Sequence, residues 1–284
     1  MLRLLLCLFF VVLAQTVLAQ TRGPGNGSLV IVGGGLRDLS ILQEFASLAG
    51  GLDAPIVVIP TAGGAENYDQ YWQGLAQFRA AGLTNLGLIH TYDRELADTP
   101  KFAEAIRNAW GVWFTGGRQW RLADVYLHTE VHTALLELLD RGGVIGGSSA
   151  GATILGSYLA RGDTAGNSLM MGDHEEGFGF IDNVAIDQHL LRRNRHFDLL
   201  EIIAARPELL GIGLDEDTAI VVKNQHFRVI GQSYVVIYDA LHRIDSGGDF
   251  YFLEPGDEYD LLERQAFRPG RVLHPLERIV PVGN

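Results

Sequence analysis

Ser149 stands in Gly147-Ser148-Ser149-Ala150-Gly151, which fits the G-x-S-x-G pattern of a nucleophile elbow. The apolar run Gly143-Val144-Ile145-Gly146 precedes it, and a short helix can follow. That is the strand–turn–helix order the pattern requires. Small neighbours allow a strained turn that lifts the serine hydroxyl clear of the backbone. They also leave the next amide, Ala150 N–H, free to face a developing oxyanion. A frame centred on Ser148 would need glycine at 150, where the chain has alanine, so the pattern selects Ser149. The same pentapeptide also suits a turn that packs a helix closely on a strand, with serine as N-cap.

A serine nucleophile needs a base, and the base needs an orienting acid. Nine histidines are available. His128 and His132 lie four apart on an expected helix, lack an acidic or thiolate co-ligand at metal spacing, and read as a solvated face. His174 sits beside Glu175 and Glu176 in an acidic loop, a setting that does not by itself define a metal site. His189 is placed differently. Asp187-Gln188-His189 ends the apolar run Val184-Ala185-Ile186, and Arg192, Arg193 and Arg195 follow. It reads as a base at a strand end or as a loop histidine beside a solvated arginine cluster. Asp215-Glu216-Asp217 closes Gly211-Ile212-Gly213-Leu214 and reads as a source of the acid or as an acidic turn.

The elements that must carry these residues are legible as a pattern. Residues 28–32, 55–60, 84–90, 111–115 and 143–146 are apolar strands. Leu39, Leu42, Phe45 and Leu48 recur at helical spacing; helices are also expected over 66–81 and about 128–141. Apolar strands alternating with helices imply parallel βαβ units in a doubly wound α/β sheet. Ligands of such sheets bind at the carboxyl ends of the strands. Glycine turns fall at three of those ends: 33–35, 116–117 and 146–147. Gly33-Gly34-Gly35 is a poor dinucleotide fingerprint, because Asp38 stands where the third glycine of G-x-G-x-x-G belongs and would repel phosphate. After residue 210 the rhythm changes to short β runs at 210–214, 219–222, 227–230 and 234–237. These read as antiparallel strands that extend the sheet or add a second one. Residues 264–284 read as a loosely held tail.

Met1-Leu2-Arg3, the apolar run Leu4 to Leu13 and Val17-Leu18-Ala19 read as a secretory signal peptide over 1–19, with the mature chain starting near Gln20. Residues 20–284 are then expected to form a single α/β domain, secreted or periplasmic, with no membrane attachment after cleavage. Cys7, the one cysteine, lies in the leader, so the mature chain can make no disulfide and no thiolate chemistry. The balance of 22 basic against 34 acidic residues, net −12, argues against nucleic acid or an anionic membrane as partner.

Four ordered segments carry a resemblance: Phe114-Thr115-Gly116-Gly117-Arg118-Gln119, the Ser149 elbow, Asp187-Gln188-His189 with Arg193 and Arg195, and Gly211 to Glu216. Together they resemble the cyanophycinases and their relatives among the S51 serine peptidases, over about residues 28–240. The resemblance implies a flavodoxin-like fold of the class I glutamine-amidotransferase kind, with a C-terminal antiparallel β extension. It implies Ser149 as nucleophile, His189 as base and Glu216 as acid. Gln119, Asp187, Gln188, Arg193 and Arg195 would line the substrate pocket. The amides of Ala150 and Gly117 are expected to form the oxyanion hole. A peptide substrate is expected and no metal or organic cofactor is required; a homodimer is compatible. Two positions depart from the family pattern. Arg118 replaces the acid of a Gly-Gly-Asp-Gln loop, and Asp198 stands where cyanophycinases carry a third arginine. The expectation is therefore a peptidase for β-aspartyl-arginine or other aspartyl peptides, weaker on cyanophycin than enzymes with all three arginines, with Asp198→Arg raising kcat/KM on that polymer. An inactive binding protein on the same fold is the other class.

Overall fold

In the computed structural model, the described residues are 20–244 and 247–269, with the backbone of 279–281. The expected leader, residues 1–19, lies outside them. Five strands come first: β1 (Ser28–Val32), β2 (Ile56–Ile59), β3 (Leu86–Leu88), β4 (Gly111–Phe114) and β5 (Val144–Ser148). They are mutually parallel and lie side by side in the order β1-β5-β4-β2-β3. Val30, Val32, Ile56, Val58 and Trp113 face one side and pack on α1 (Leu39–Leu48) and α2 (Ala76–Ala80). Leu29, Ile31, Val57, Val112 and Ile145 face the other, where α3 (Arg94–Ala97), α4 (Pro100–Arg107), α5 (Gln119–Tyr126) and α6 (Glu130–Asp140) contribute to the core. Both faces are covered, which is why the strands read as continuous apolar runs. Gly146 has a packing reason: a β-carbon there would lie 2.2 Å from the ring of buried Trp113.

The elbow leads from β5 into the single turn α7 (Ala150–Thr153). The chain then builds β6 (Gly156–Tyr158), β7 (Ile181–Gln188), α8 (Leu199–Ala205), β8 (Leu210–Leu214), β9 (Thr218–Lys223), β10 (His226–Gly231), β11 (Val235–Asp239), β12 (His242–Ile244), β13 (Tyr251–Leu253), β14 (Glu258–Asp260), β15 (Gln265–Phe267) and β16 (Ile279–Pro281). Strands β9, β10, β14 and β15 add to the β1 edge of the first sheet, β9 pairing antiparallel with β1. A second sheet runs β13-β11-β8-β7-β6, and β12 pairs with β16. Sheet extension and a second sheet therefore both occur.

Three readings need correction, and three helices occur where none was expected. β8 is parallel to β7, because α8 returns the chain before it; only its other neighbour, β11, runs antiparallel. The helix expected over 66–81 shrinks to residues 76–80 after a 3-10 turn. Asp69 caps the Tyr71 amide in a local turn, and the Trp72 ring fills the space beside Gly74. Helices α3, α4 and α5 are short, and Asp93 and Thr99 cap the first two. The start of the supposed tail is anchored: Arg264 is buried in an ion pair with Asp239, and β15 pairs with β14. Residues 270–278 and 282–284 of that tail lie outside the described residues.

Candidate active site

Ser149 sits between β5 and α7 at φ 58°, ψ −117°, a strained conformation for a residue with a side chain. Its amide donates to Val32 O at 3.0 Å, tying the elbow to the end of β1. From there its Oγ lies 2.9 Å from His189 Nε2. His189 Nδ1 lies 2.7 Å from Glu216 Oε1. The imidazole is 6% exposed and Glu216 somewhat more open. Ser149, His189 and Glu216 thus form a continuous hydrogen-bonded line, an arrangement that can serve as nucleophile, base and orienting acid. Burial lowers the His189 pKa below the usual imidazole value; the bond to Glu216 works against this, while the positive field of Arg193 and Arg195 adds to it. The ring is therefore neutral near pH 7 and can accept a proton.

Gly33-Gly34-Gly35, disfavoured as a phosphate turn, has a different purpose. A β-carbon at Gly34 would fall on the His189 ring, and one at Gly35 would lie 2.5 Å from Glu216 Oε2. His189 N–H donates to Gly33 O at 2.8 Å. The turn is the seat of base and acid, and its bareness lets both side chains lie against main chain. Asp38 caps α1 by accepting from Ser40 N–H.

The acidic triplet divides its work. Asp215 Oδ1 accepts from the amides of Leu191 and Arg192, and its Oδ2 accepts from Ser233, which fixes the turn after His189. Glu216 orients the imidazole. Asp217 Oδ1 accepts from the amides of Arg37 and Asp38 and holds the loop beyond the glycines. Sequence reasoning saw an acidic turn but not this partition, which only the folded contacts display.

Gly116 lies against Ser149, since a β-carbon there would be 3.2 Å from Ser149 Cβ. Gly117 has φ 145° and sits on the Ala62 carbonyl. Among the described residues, neither Gly117 N–H nor Ala150 N–H has a backbone acceptor. Both amides are therefore free to serve an oxyanion beside Ser149.

Most of the residues expected to line the pocket have their polar groups engaged within the protein. Gln119 is buried, its Nε2 donating to the carbonyls of Ala160 and Arg161. Asp187 is 0% exposed and gripped at both oxygens by Arg161, at 2.9 and 3.1 Å. Gln188 accepts at its backbone and side-chain oxygens from Arg195 Nη1. Arg193 is exposed, and its amide donates to His189 O. Arg161 carried no motif signal, yet it is only 4% exposed and also pairs with Asp198. Asp198, the acid at the position where the family pattern has a third arginine, is thus paired with this arginine, which it shares with Asp187.

The remaining histidines are structural in different ways. His132, expected on a solvated face, is buried: its Nδ1 accepts from His128 N–H and its Nε2 donates to Phe178 O. Burial lowers its pKa. His128 pairs with Glu176, and His174 with Asp124 and Asp173.

An α/β scaffold that holds such a line of side chains suits a peptidase, and comparison with known proteins gives the class. The chain belongs to peptidase family S51, whose description matches residues 29–230. It is 35% identical over 224 residues to a cyanophycinase of Geminocystis herdmanii, spanning 76% of this chain and 81% of the relative. A cyanophycinase of Trichormus variabilis is 33% identical over 236 residues, spanning 80% and 78%. Among solved structures it is similar to a peptidase from an acI-B1 actinobacterium, with a TM-score of 0.62 and 27% identity over 84% of this chain and 98% of that one.

Proposed function

We propose that the protein is a serine peptidase that hydrolyses aspartyl peptides, β-aspartyl-arginine links of cyanophycin among them, through a Ser149–His189–Glu216 triad. The observation that carries this reading is the line from Ser149 Oγ to His189 Nε2 at 2.9 Å and from His189 Nδ1 to Glu216 Oε1 at 2.7 Å. His189 takes the Ser149 proton as Oγ attacks the scissile carbonyl. The amides of Gly117 and Ala150 hold the oxyanion. His189 then protonates the leaving amine, giving an acyl-enzyme, and water hydrolyses the ester with His189 again as base. The cyanophycinase relatives support the substrate class. Gln119, Asp187, Gln188 and Arg195 frame the pocket as one braced unit, and Arg193 reaches into solvent beside the base.

Incubation with cyanophycin, β-aspartyl-arginine, aspartyl dipeptides and isoaspartyl peptides, read by mass spectrometry, tests the substrate. Ser149→Ala should lose several powers of ten in kcat with folding intact. A variant that keeps more than about a tenth of wild-type kcat removes Ser149 as nucleophile. Export through the 1–19 leader is part of the same proposal, and N-terminal sequencing of exported protein should read from near Gln20. Retention of Met1 would contradict it.

A further inference from the structure

Among the arginines on the loops that follow β4, β6 and β7, the guanidinium groups differ in what they have left to bind, and Arg193, without an ion-pair partner among the described residues, is exposed. Arg161 is committed to Asp187 and Asp198. Arg195 donates to Gln188 and stands 3.9 Å from Asp187. Arg192 Nε is 4.0 Å from Glu216 Oε2. Arg118 is another case. Among the described residues it has no ion-pair partner, and its Nη1, screened from solvent, has no hydrogen-bond partner. A shielded guanidinium N–H left unmet is costly, and an arriving carboxylate would satisfy it.

The main chain that carries Arg118 is fixed against the nucleophile. Arg118 N–H donates to Ala62 O at 2.8 Å, Gly117 rests on the same carbonyl, and Gly116 touches Ser149. Sheet order then gives a direction. β5, which delivers Ser149, lies between β1 and β4. His189 rests on the glycine turn that leaves β1, whereas Arg118 is on the loop that leaves β4. The leaving amine must sit on the His189 side, because His189 protonates it. The acyl portion of the substrate therefore extends toward β4.

From this we infer that Arg118 is a specificity-determining residue that receives a carboxylate borne by the acyl portion of the substrate. An aspartyl residue attacked at one carbonyl and free at its other carboxyl has that chemistry. The inference rests on the reading of Ser149 as nucleophile.

The test compares peptides whose acyl residue is aspartyl or asparaginyl and which are otherwise identical. Wild type should favour the acid in kcat/KM by about tenfold or more, the scale of a charge-assisted hydrogen bond. Arg118→Gln should collapse that ratio, Arg118→Lys should keep part of it, and Arg118→Asp should invert it. An unchanged ratio in Arg118→Gln, or equal losses on both peptides, overturns the inference. Calorimetric binding of both peptides to Ser149→Ala and to its Arg118→Gln double variant reads the same preference without turnover. Labelling of wild type by a fluorophosphonate separates the two failures. An unlabelled Ser149 overturns the nucleophile reading and this inference with it, whereas a labelled enzyme with a flat ratio overturns Arg118 alone.

Discussion

The imidazole of His189 lies directly on Gly34, so closely that a β-carbon at position 34 would fall 2.3 Å from its Cε1. Gly34 also has φ 111°, where an L side chain is strained. The imidazole is positioned by the absence of a side chain beneath it.

Gly34→Ala should therefore act as a catalytic lesion with a modest folding cost. Displacing the ring by about 1 Å is enough to cost roughly 100-fold in rate. Overpacking and the positive φ together should cost about 1–3 kcal/mol in stability. Steady-state kinetics and thermal unfolding check both, and near-wild-type kcat would mean that the ring is not seated on this turn.

The pH dependence follows from the environment of the same ring. Burial holds the His189 pKa below the ordinary 6.5, so the acidic limb of kcat/KM should lie below 6.5. Arg193→Gln removes a neighbouring positive charge that disfavours imidazolium, so the limb should move up. Glu216→Gln removes a partner that favours imidazolium, so the limb should move down, with a large fall in kcat as the ring loses its orienting acceptor. Shifts of the same sign in both variants would show that the limb belongs to another group.

Asp215 offers a test of the turn that follows the base. Its carboxylate accepts two amides and the Ser233 hydroxyl while 8% exposed. Asp215→Ala should cost about 1–3 kcal/mol by stranding those donors. It should also lower kcat, since residues 191 and 192 lie two and three positions after His189. Asp215→Asn keeps an acceptor oxygen and should recover most of the stability. Equal melting temperatures for both variants would argue against this anchoring role.

The parts of the site that could be read in the sequence are those that coincide with strand ends. Ser149, His189 and Glu216 each follow an apolar run, but Ser149 leaves β5 of the first sheet whereas His189 and Glu216 follow β7 and β8 of the second, so it takes both sheets to bring them together. The partners that brace them lack such a signal. Arg161 follows β6 in a loop with no motif, and its contact with Asp187 spans 26 residues. The glycine turn at 33–35 was visible, but its role depends on contacts 155 to 181 residues away, with His189 and Glu216. Similarly, four-residue spacing on a helix placed His132 on a face, but only the packing of Phe178 and Phe180 against that face shows it to be buried. Periodicity reports which side a residue takes, and tertiary contacts decide what covers that side.

Asp198 is where charge counting from the sequence and the folded contacts diverge, and it gives the last prediction. On charge alone, Asp198→Arg would add a cation to the pocket and improve an acidic substrate. In the fold, the Asp198 carboxylate lies on Arg161, and that guanidinium holds the fully buried Asp187. Burial works against the Arg161 charge, but its hydrogen bonds with Asp187 and Asp198 outweigh this and hold its pKa above the ordinary arginine value. Asp198→Arg would set three guanidiniums, its own with those of Arg161 and Arg195, against the one carboxylate of Asp187, so the single variant should lose stability and activity together. Arg161→Ala should be worse, about 3–5 kcal/mol, because it removes both hydrogen bonds of buried Asp187 and leaves only Arg195, 3.9 Å away, as counter-charge. The double variant Arg161→Gln/Asp198→Arg returns one cation to Asp187 from the other side of the pocket. Its melting temperature should exceed that of either Asp198→Arg or Arg161→Gln, a non-additivity expected only of groups in direct contact. A thermodynamic cycle of these three variants measures the coupling. Simple additivity, or a single Asp198→Arg variant that is more active on cyanophycin and equally stable, would show that Asp187 and Asp198 do not share Arg161.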